Sequence, residues 1–459
     1  MTGTGSPASE TARALAPSGA SSSPARPNGL VLSPLRALRY DTAVAGPLPT
    51  LTSPPYDVID AAELSALERA SAHNVVRLIL PRETPGDTQA TSRYARAAAT
   101  LVAWRTEGAL VPDPEPALYV YEMAGPDGHV QRGLLGALAL SPPQDGIVLP
   151  HEDTMAGPVS DRLALYTAVD ADLEPIFLVY DGGGAASRLV AEVGTESGDA
   201  AASPAPLLVD EVLGDGLRHR LWAVTDEQVL ADVAADLHGR KALIADGHHR
   251  YATYLRRQSG AHEAGRGSGP WDFGLCLLVD ATAFGPQVHP IHRFVPGRQP
   301  AELARMAEAA MRVRRLDGTL AEALQQLAAA RGAPAFLLAG GGGEALHLLT
   351  EPDAEAAREA LPAGRSPAWG ALDVSVLHTL LVARLWGVPD DVEHLGFAHD
   401  VEEALAAAAR TSGTAVLMNS TPVEAVAAVA ASGERMPRKS TLFTPKPRTG
   451  VVIRDHRDY

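Results

Sequence analysis

The chain has 459 residues, 46% hydrophobic and 20% charged, with a formal net charge of −16 at pH 7. That length is more than one compact core serves and predicts two or three domains. The acid balance disfavours nucleic acid as a partner, no apolar run reaches the length of a membrane span, and the lone Cys276 rules out an internal disulfide.

Residues 1–29 are rich in Ser, Ala, Pro, Gly and Thr and lack a continuous apolar segment. They read as a disordered tail rather than a signal peptide, which makes the cytoplasm the expected location. Residues 30–145 read as an N-terminal α/β domain. Pro54-Pro55-Tyr56-Asp57 is a stiff turn, Ala61 to Ala72 a helix, Val75 to Leu80 a strand and Thr91 to Thr106 a helix. Leu118 to Met123 and Leu134 to Leu140 read as paired strands around Gly125-Pro126-Asp127-Gly128.

Residues 146–298 read as the motif-bearing core. Asp161 to Val169 predicts a helix, Ile176 to Tyr180 a strand, and Leu207 to Val212 with His219 to Val224 a hairpin. Glu227 to Leu237 predicts a helix. Phe273 to Val279 reads as a buried strand, which makes the Cys276 thiol inert. Val288 to Phe294 follows as a strand. Residues 299–435 read as a C-terminal α/β domain, with helices over Ala301 to Arg312, Leu320 to Arg331, Leu372 to Trp386 and Pro422 to Ala431. Its strands are Pro334 to Leu338, Ala345 to Leu349 and Thr414 to Met418, with Gly340 to Gly343 as a hairpin turn. Residues 436–459 read as a segment returning to the core. The whole is a mixed α/β fold.

The densest chemistry is Asp246-Gly247-His248-His249-Arg250, between the strand Ala242 to Ala245 and a helix from Tyr251 to Gln258. The first amides of a helix lack internal partners, Gly247 tolerates a left-handed backbone, and Arg250 adds a fixed charge, so the turn reads as a phosphate site. The alternative is a capping turn whose histidines pair with Asp246. His151-Glu152-Asp153-Thr154 ends another strand; Glu152 and Asp161 offer oxygen ligands for a divalent cation, although Ser160 and Asp161 also suit a helix start.

His289-Pro290-Ile291-His292-Arg293 repeats a His-Arg pair at a strand end, and Arg293 joins the candidate phosphate ligands. In Met436 to Lys446 three basic residues and three hydroxyls share a proline-braced stretch whose Met436, Leu442 and Phe443 need burial, so it is expected to wrap across the site. The basic end, Arg454 to Arg457, reads as solvated. The chain's lysines are Lys241, Lys439 and Lys446 against 39 Lys and Arg together, which draws attention to the last two. Asp57 is a candidate general base, with a turn-forming Asp as the alternative.

Taken in order, Ser53 to Ile59, Asn74 to Leu78, Pro150-His151-Glu152 through Asp161-Arg162, Pro175-Ile176-Phe177, Asp246 to Tyr251, Leu372-Asp373-Val374 and Met436 to Lys446 resemble the family called domain of unknown function 1015. The resemblance runs from about Leu35 to Ile453. One departure is Gly157-Pro158-Val159, where that family commonly carries lysine after the proline. The Asp-Gly-His-His-Arg loop is also similar to the signature loop of the ParB/sulfiredoxin superfamily, which includes an archaeal free-serine kinase. That resemblance implies a ParB/sulfiredoxin-like core and nucleotide phosphates on Asp246 to Arg250. Sulfiredoxin chemistry needs a cysteine in this loop, which is absent.

These readings converge on a phosphotransferase or nucleotide hydrolase using ATP or ADP with Mg²⁺ on a small-molecule substrate. Gly247, His248, His249, Arg250, Arg293 and Lys446 would bind phosphate, and Glu152, Asp161 and Asp246 the metal. Glu152, Asp57, His249 and Lys439 would be catalytic. The alternatives are a non-catalytic nucleotide or anion sensor and a metal-dependent hydrolase using His151, His248, His249 and His292. An oligomer is compatible with all three.

Overall fold

The structure is a computed structural model that describes residues 27–88, 90–193, 205–391 and 393–459. The expected tail therefore lies outside the described residues as far as residue 26. The fold is mixed α/β, built on a nine-stranded and a six-stranded sheet. Among the described residues no helix is long and apolar enough to cross a membrane.

The larger sheet runs, in spatial order, through Val148–Leu149, Ala242–Asp246, Ile176–Tyr180, Phe273–Asp280, Val130–Ala139, Leu118–Ala124, Arg218–Val224 and Leu207–Val212, with Leu32–Ser33 beside Val130–Ala139. Ile176–Tyr180 is buried at every position and Phe273–Asp280 at all but its first, as uninterrupted apolar strands covered on both faces should be. Cys276 lies inside, its thiol pushed well above its ordinary pKa by burial. Helix Ala156–Val169 packs on helix His248–Glu263, and helix Gly184–Val193 on helix Glu227–His238.

Strand direction decides where the polar motifs gather. Ala242–Asp246 runs parallel to Val148–Leu149 and antiparallel to Ile176–Tyr180. The chain after residue 149, the chain after residue 246 and the chain before residue 176 therefore meet at one end of three neighbouring strands. Glu152, Gly247 to Arg250 and Glu174 lie on those three segments.

The smaller sheet is antiparallel, in the order Arg312–Arg315, His347–Thr350, Phe336–Ala339, Thr414–Met418, His292–Val295, Gly396–Ala398. The turn through Gly340 to Gly343 joins two of its strands, as expected. Its core cluster of Leu337, Leu348 and Leu417 is separate from the main core, which extends from Leu30 to Ile453.

Several elements depart from expectation. Val76–Ile79 is a turn of helix, not a strand. The β-branched preference yields because Asn74 Oδ1 accepts the Val76 N–H at 2.9 Å while Val75, Val76, Leu78 and Ile79 are all buried. The helix expected from Asp161 starts at Ala156, so Ser160 is interior and caps nothing. Helix Pro300–Ala307 stops early, and Arg312–Arg315 is an edge strand. Leu372 to Trp386 is a short helix, Asp373–Val376, continued by a π-helix, Leu377–Leu385. Pro290 splits the expected strand, sending Gln287–His289 to pair with Leu442–Thr444 and His292–Val295 into the smaller sheet.

The basic end is solvated only at Arg457; Arg454, Asp455 and His456 are buried. Arg454 donates to Asp172 Oδ2 at 2.8 Å, His456 lies 3.1 Å from Asp172 Oδ1, and Arg257 Nη1 lies 2.8 Å from that same oxygen. Asp172 is fully buried; the cations around it outweigh burial and hold its carboxyl far below the usual range. The basic end thus has a buried acid to neutralise. Asp172→Ala should lower unfolding free energy by about 3–5 kcal/mol in a urea titration, because it strands Arg454 and Arg257 without their carboxylate.

Candidate functional site

Gly247 has φ +94° and opens helix His248–Glu263, which has no side-chain cap at its N-terminus. A Cβ at Gly247 would stand 3.1 Å from Arg250 Nε, so the backbone must pass close over the guanidinium. Arg250 is 1% exposed; it ion-pairs with Asp246 and donates to Pro175 O at 2.5 Å. It is a buried strut, not an exposed anion ligand.

The two histidines work through their acceptor nitrogens. His248 Nε2 accepts the His151 N–H at 3.2 Å, and His249 Nε2 accepts the Met155 N–H at 3.1 Å. An imidazole nitrogen that accepts a backbone N–H carries no proton, so both rings are neutral and hydrogen-bonded to the loop after Leu149. Burial lowers the pKa of both, and that of His151 to about 4. His151 stands edge-on to His248, ring centroids 4.6 Å apart, with its Nε2 3.0 Å from Thr441 Oγ1. Neither histidine caps the helix or pairs with Asp246; both hold a neighbouring loop, and the imidazoles contribute no positive charge.

Positive charge comes from the C-terminal segment. Met436 N–H donates to His151 O at 2.8 Å and Arg435 to Pro150 O at 2.9 Å. Leu442–Thr444 then pairs with Gln287–His289, and Gln131 Nε2 donates to Pro445 O at 3.1 Å. Lys446 arrives with Nζ 2.6 Å from Asp246 Oδ1 and 3.9 Å from Asp57 Oδ2. Burial pushes the Asp246 carboxyl up, but Lys446 and Arg250 outweigh it and hold the group below its ordinary range.

At Glu152, by contrast with Asp246, burial wins. Desolvation raises it from 4.5 to about 7, against the pull of Lys439 and Lys446 and with the push of Asp246 and Asp57. Those same pairings place Glu152, Lys439, Lys446, Asp246 and Asp57 within one electrostatic neighbourhood. His249 also feels Asp57 and Asp246.

Two expected ligands are elsewhere. Asp161 is engaged by Arg93 at 2.6 Å, Tyr94 at 2.7 Å and Arg162 at 2.6 Å, which leaves it no role with Glu152 and Asp246. Arg293 is fully buried and grips main-chain carbonyls rather than facing an anion. Among the described residues no three His, Cys, Asp or Glu side chains group as a metal site. His292 Nδ1 accepts the Met418 N–H at 3.1 Å, so it is committed to the smaller sheet and not to His151, His248 and His249.

Glu174 was not foreseen. Fully buried, it accepts the Tyr56 N–H at 2.9 Å and the Thr449 hydroxyl at 3.4 Å, and lies 3.9 Å from Arg162. Arg162 in turn sits over the Tyr56 ring at 4.3 Å. Glu174 thereby ties the Asp57 turn to the chain that carries Lys446. The signal for it was an acid directly before the apolar run Pro175 to Tyr180.

A family model described as protein of unknown function (DUF1015) matches residues 32–375. The chain belongs to that family. The match ends short of the expected Ile453, so Lys439 and Lys446 lie beyond it. No curated protein matches the chain. Among solved structures, a free serine kinase mutant in complex with ADP shares 14% identity over 65% of this chain and 84% of its own, with a TM-score of 0.31. A conserved hypothetical protein from Pyrococcus furiosus shares 15% over 66% and 88%, TM-score 0.30. C-terminally truncated SbnI from Staphylococcus aureus shares 10% over 69% and 86%, TM-score 0.33. Likeness this loose carries no argument about activity, and the ParB/sulfiredoxin resemblance still rests on residues 246–250 alone.

The Glu152 environment predicts a pH signature. A carboxyl whose folded pKa exceeds its unfolded one destabilises the fold as pH rises. The penalty is absent below about 4.5, grows up to about 7 and is constant above that. Glu152→Gln should therefore be more stable than the parent at pH 8 by on the order of 2 kcal/mol, with the gap vanishing at pH 4. Thermal melts across that range measure it; a gap that does not depend on pH would contradict the assignment.

Proposed function

We propose that the site binds a nucleotide through its phosphates and transfers a phosphoryl group to a small acceptor. The observation that carries this reading is the meeting of Lys446 with Asp246 and Asp57 beside the uncapped N-terminus of helix His248–Glu263. Free helix amides and a lysine held by carboxylates suit phosphate, which can take over the lysine's charge when it binds. Lys439 and Lys446 would neutralise charge building on the transferred group. Glu152, raised to about 7 and so about half ionised at neutral pH, would in its ionised form take the proton from an acceptor hydroxyl. Asp57 and Asp246 would orient Lys446. Asp246 already holds two cations, so these residues do not fit a metal cage of their own. Mg²⁺ would enter on the nucleotide phosphates.

Calorimetry with ATP and ADP, with and without Mg²⁺, is the direct measurement. Binding is expected, weakened about tenfold or more in Lys446→Ala. Glu152→Gln should keep nucleotide affinity but lower turnover by about a hundredfold or more. No binding of either nucleotide in any condition would remove the reading. A second reading, a nucleotide or anion sensor, draws on the C-terminal segment itself, which carries both lysines and touches His151 through Met436 and Thr441. Binding without product, with serine and other small hydroxyl acceptors supplied, would favour it.

A further inference from the structure

Arg293 is a large charged side chain with no exposure. Among the described residues no carboxylate contacts its guanidinium. Nη1 donates to Ile291 O at 2.6 Å; Nη2 donates to Lys439 O at 2.9 Å and to Arg438 O at 3.3 Å. Nε and Nη2 both meet His378 Nε2 at 3.3 Å, and the group lies over Phe397 at 4.6 Å. His378 accepts at Nε2, so its Nδ1–H donates to Asp390 Oδ2, 2.8 Å away. The nearest acid thus acts only through an imidazole, and burial lowers the arginine's pKa to about 9.

A cation buried on these terms costs stability. The guanidinium nevertheless serves three carbonyls and an imidazole at once: Nη2 alone meets the successive carbonyls of Arg438 and Lys439, while Nη1 holds Ile291 O and Nε meets His378. The carbonyls it holds flank a residue that needs holding: Lys439 has φ +56°, a left-handed backbone that a side-chain-bearing residue adopts at a cost. His378 lies in the π-helix Leu377–Leu385, a widened turn of the kind found where a side chain is re-aimed.

We propose that Arg293, braced by His378 and Asp390, is a positioning residue that clamps the carbonyls of Arg438 and Lys439 and so sets the backbone from which the Lys439 side chain projects. The inference rests on the reading of Lys439 as a phosphate-facing cation. It assigns to the smaller sheet a part in building a site that lies on the larger one. Arg293 touches no substrate in this arrangement; it acts through the main chain of Lys439.

The composition offers a direct test. With Lys241, Lys439 and Lys446 as the chain's lysines, reductive methylation with ¹³C-formaldehyde gives three side-chain NMR signals besides the amino terminus. In Arg293→Gln, and to a smaller extent in Asp390→Asn, the Lys439 signal should shift. Lys241 and Lys446 should stay in place. ADP affinity should fall about three- to tenfold. The Asp390 side chain is 54% exposed, so Asp390→Asn folds even where Arg293→Gln does not and decides the matter alone. An unmoved Lys439 signal in a folded variant overturns the proposal, as does equal movement of all three signals, which would mean general loosening. If the parent binds no ADP, the nucleotide reading fails while the Lys439 signal still tests the clamp.

Discussion

The site depends on the compensation of one buried carboxylate. Asp246 ends a strand next to the sheet edge, where burial alone would push it toward its neutral form. Arg250 reaches it from one helical turn later, and Lys446 from the far end of the chain at 2.6 Å. The charge of Asp246 is therefore what anchors a distant lysine beside the N-terminus of helix His248–Glu263. Glu152, which among the described residues has no ion-pair partner of its own, is raised by burial to about 7. One end of three strands thus holds an ionised acid, an acid whose pKa is raised to about 7 and a cation shared between carboxylates, two carboxyls pushed apart by their surroundings.

The histidines have a different task from the one their charge suggested. As neutral acceptors they join the loop after Leu149 to the helix after Asp246, so that Glu152 hangs from a segment tied down at His151 and Met155. Glu174 does the same for the Asp57 turn, and Arg293 for Lys439. Each candidate acid or base thus has a buried partner that holds the backbone beside it. Precision of this kind matters because a displacement of about 1 Å can cost two orders of magnitude in rate.

Much of this was legible in the sequence. Amphipathic periodicity located most helices, apolar runs located the central strands, and the lysine-poor composition singled out the residue that reaches Asp246. The errors share a physical origin. The Val75 to Leu80 stretch is equally apolar as helix or strand, and only its burial beside Asn74 decides. Arg293, Asp161 and Arg454 carry charges whose partners, His378, Arg93 and Asp172, are distant in sequence. An arginine facing solvent and one buried against carbonyls look alike in a sequence read alone. Glu174 was missed for the converse reason: its value lies in contacts to Tyr56 and Thr449, which no local pattern announces.

The route of the C-terminal segment has a consequence for biogenesis. It leaves the smaller sheet, crosses beside His151 and pairs with the edge at Ser53 and Leu38. Asp246 and Glu152 therefore emerge from the ribosome long before the lysine that completes their charge pattern. Until Lys446 is synthesised, Asp246 and Asp57 lack its charge, and the strand ends carry an excess of acid. The charge pattern closes only when residues 436–446 have folded back beside His151 and Asp246.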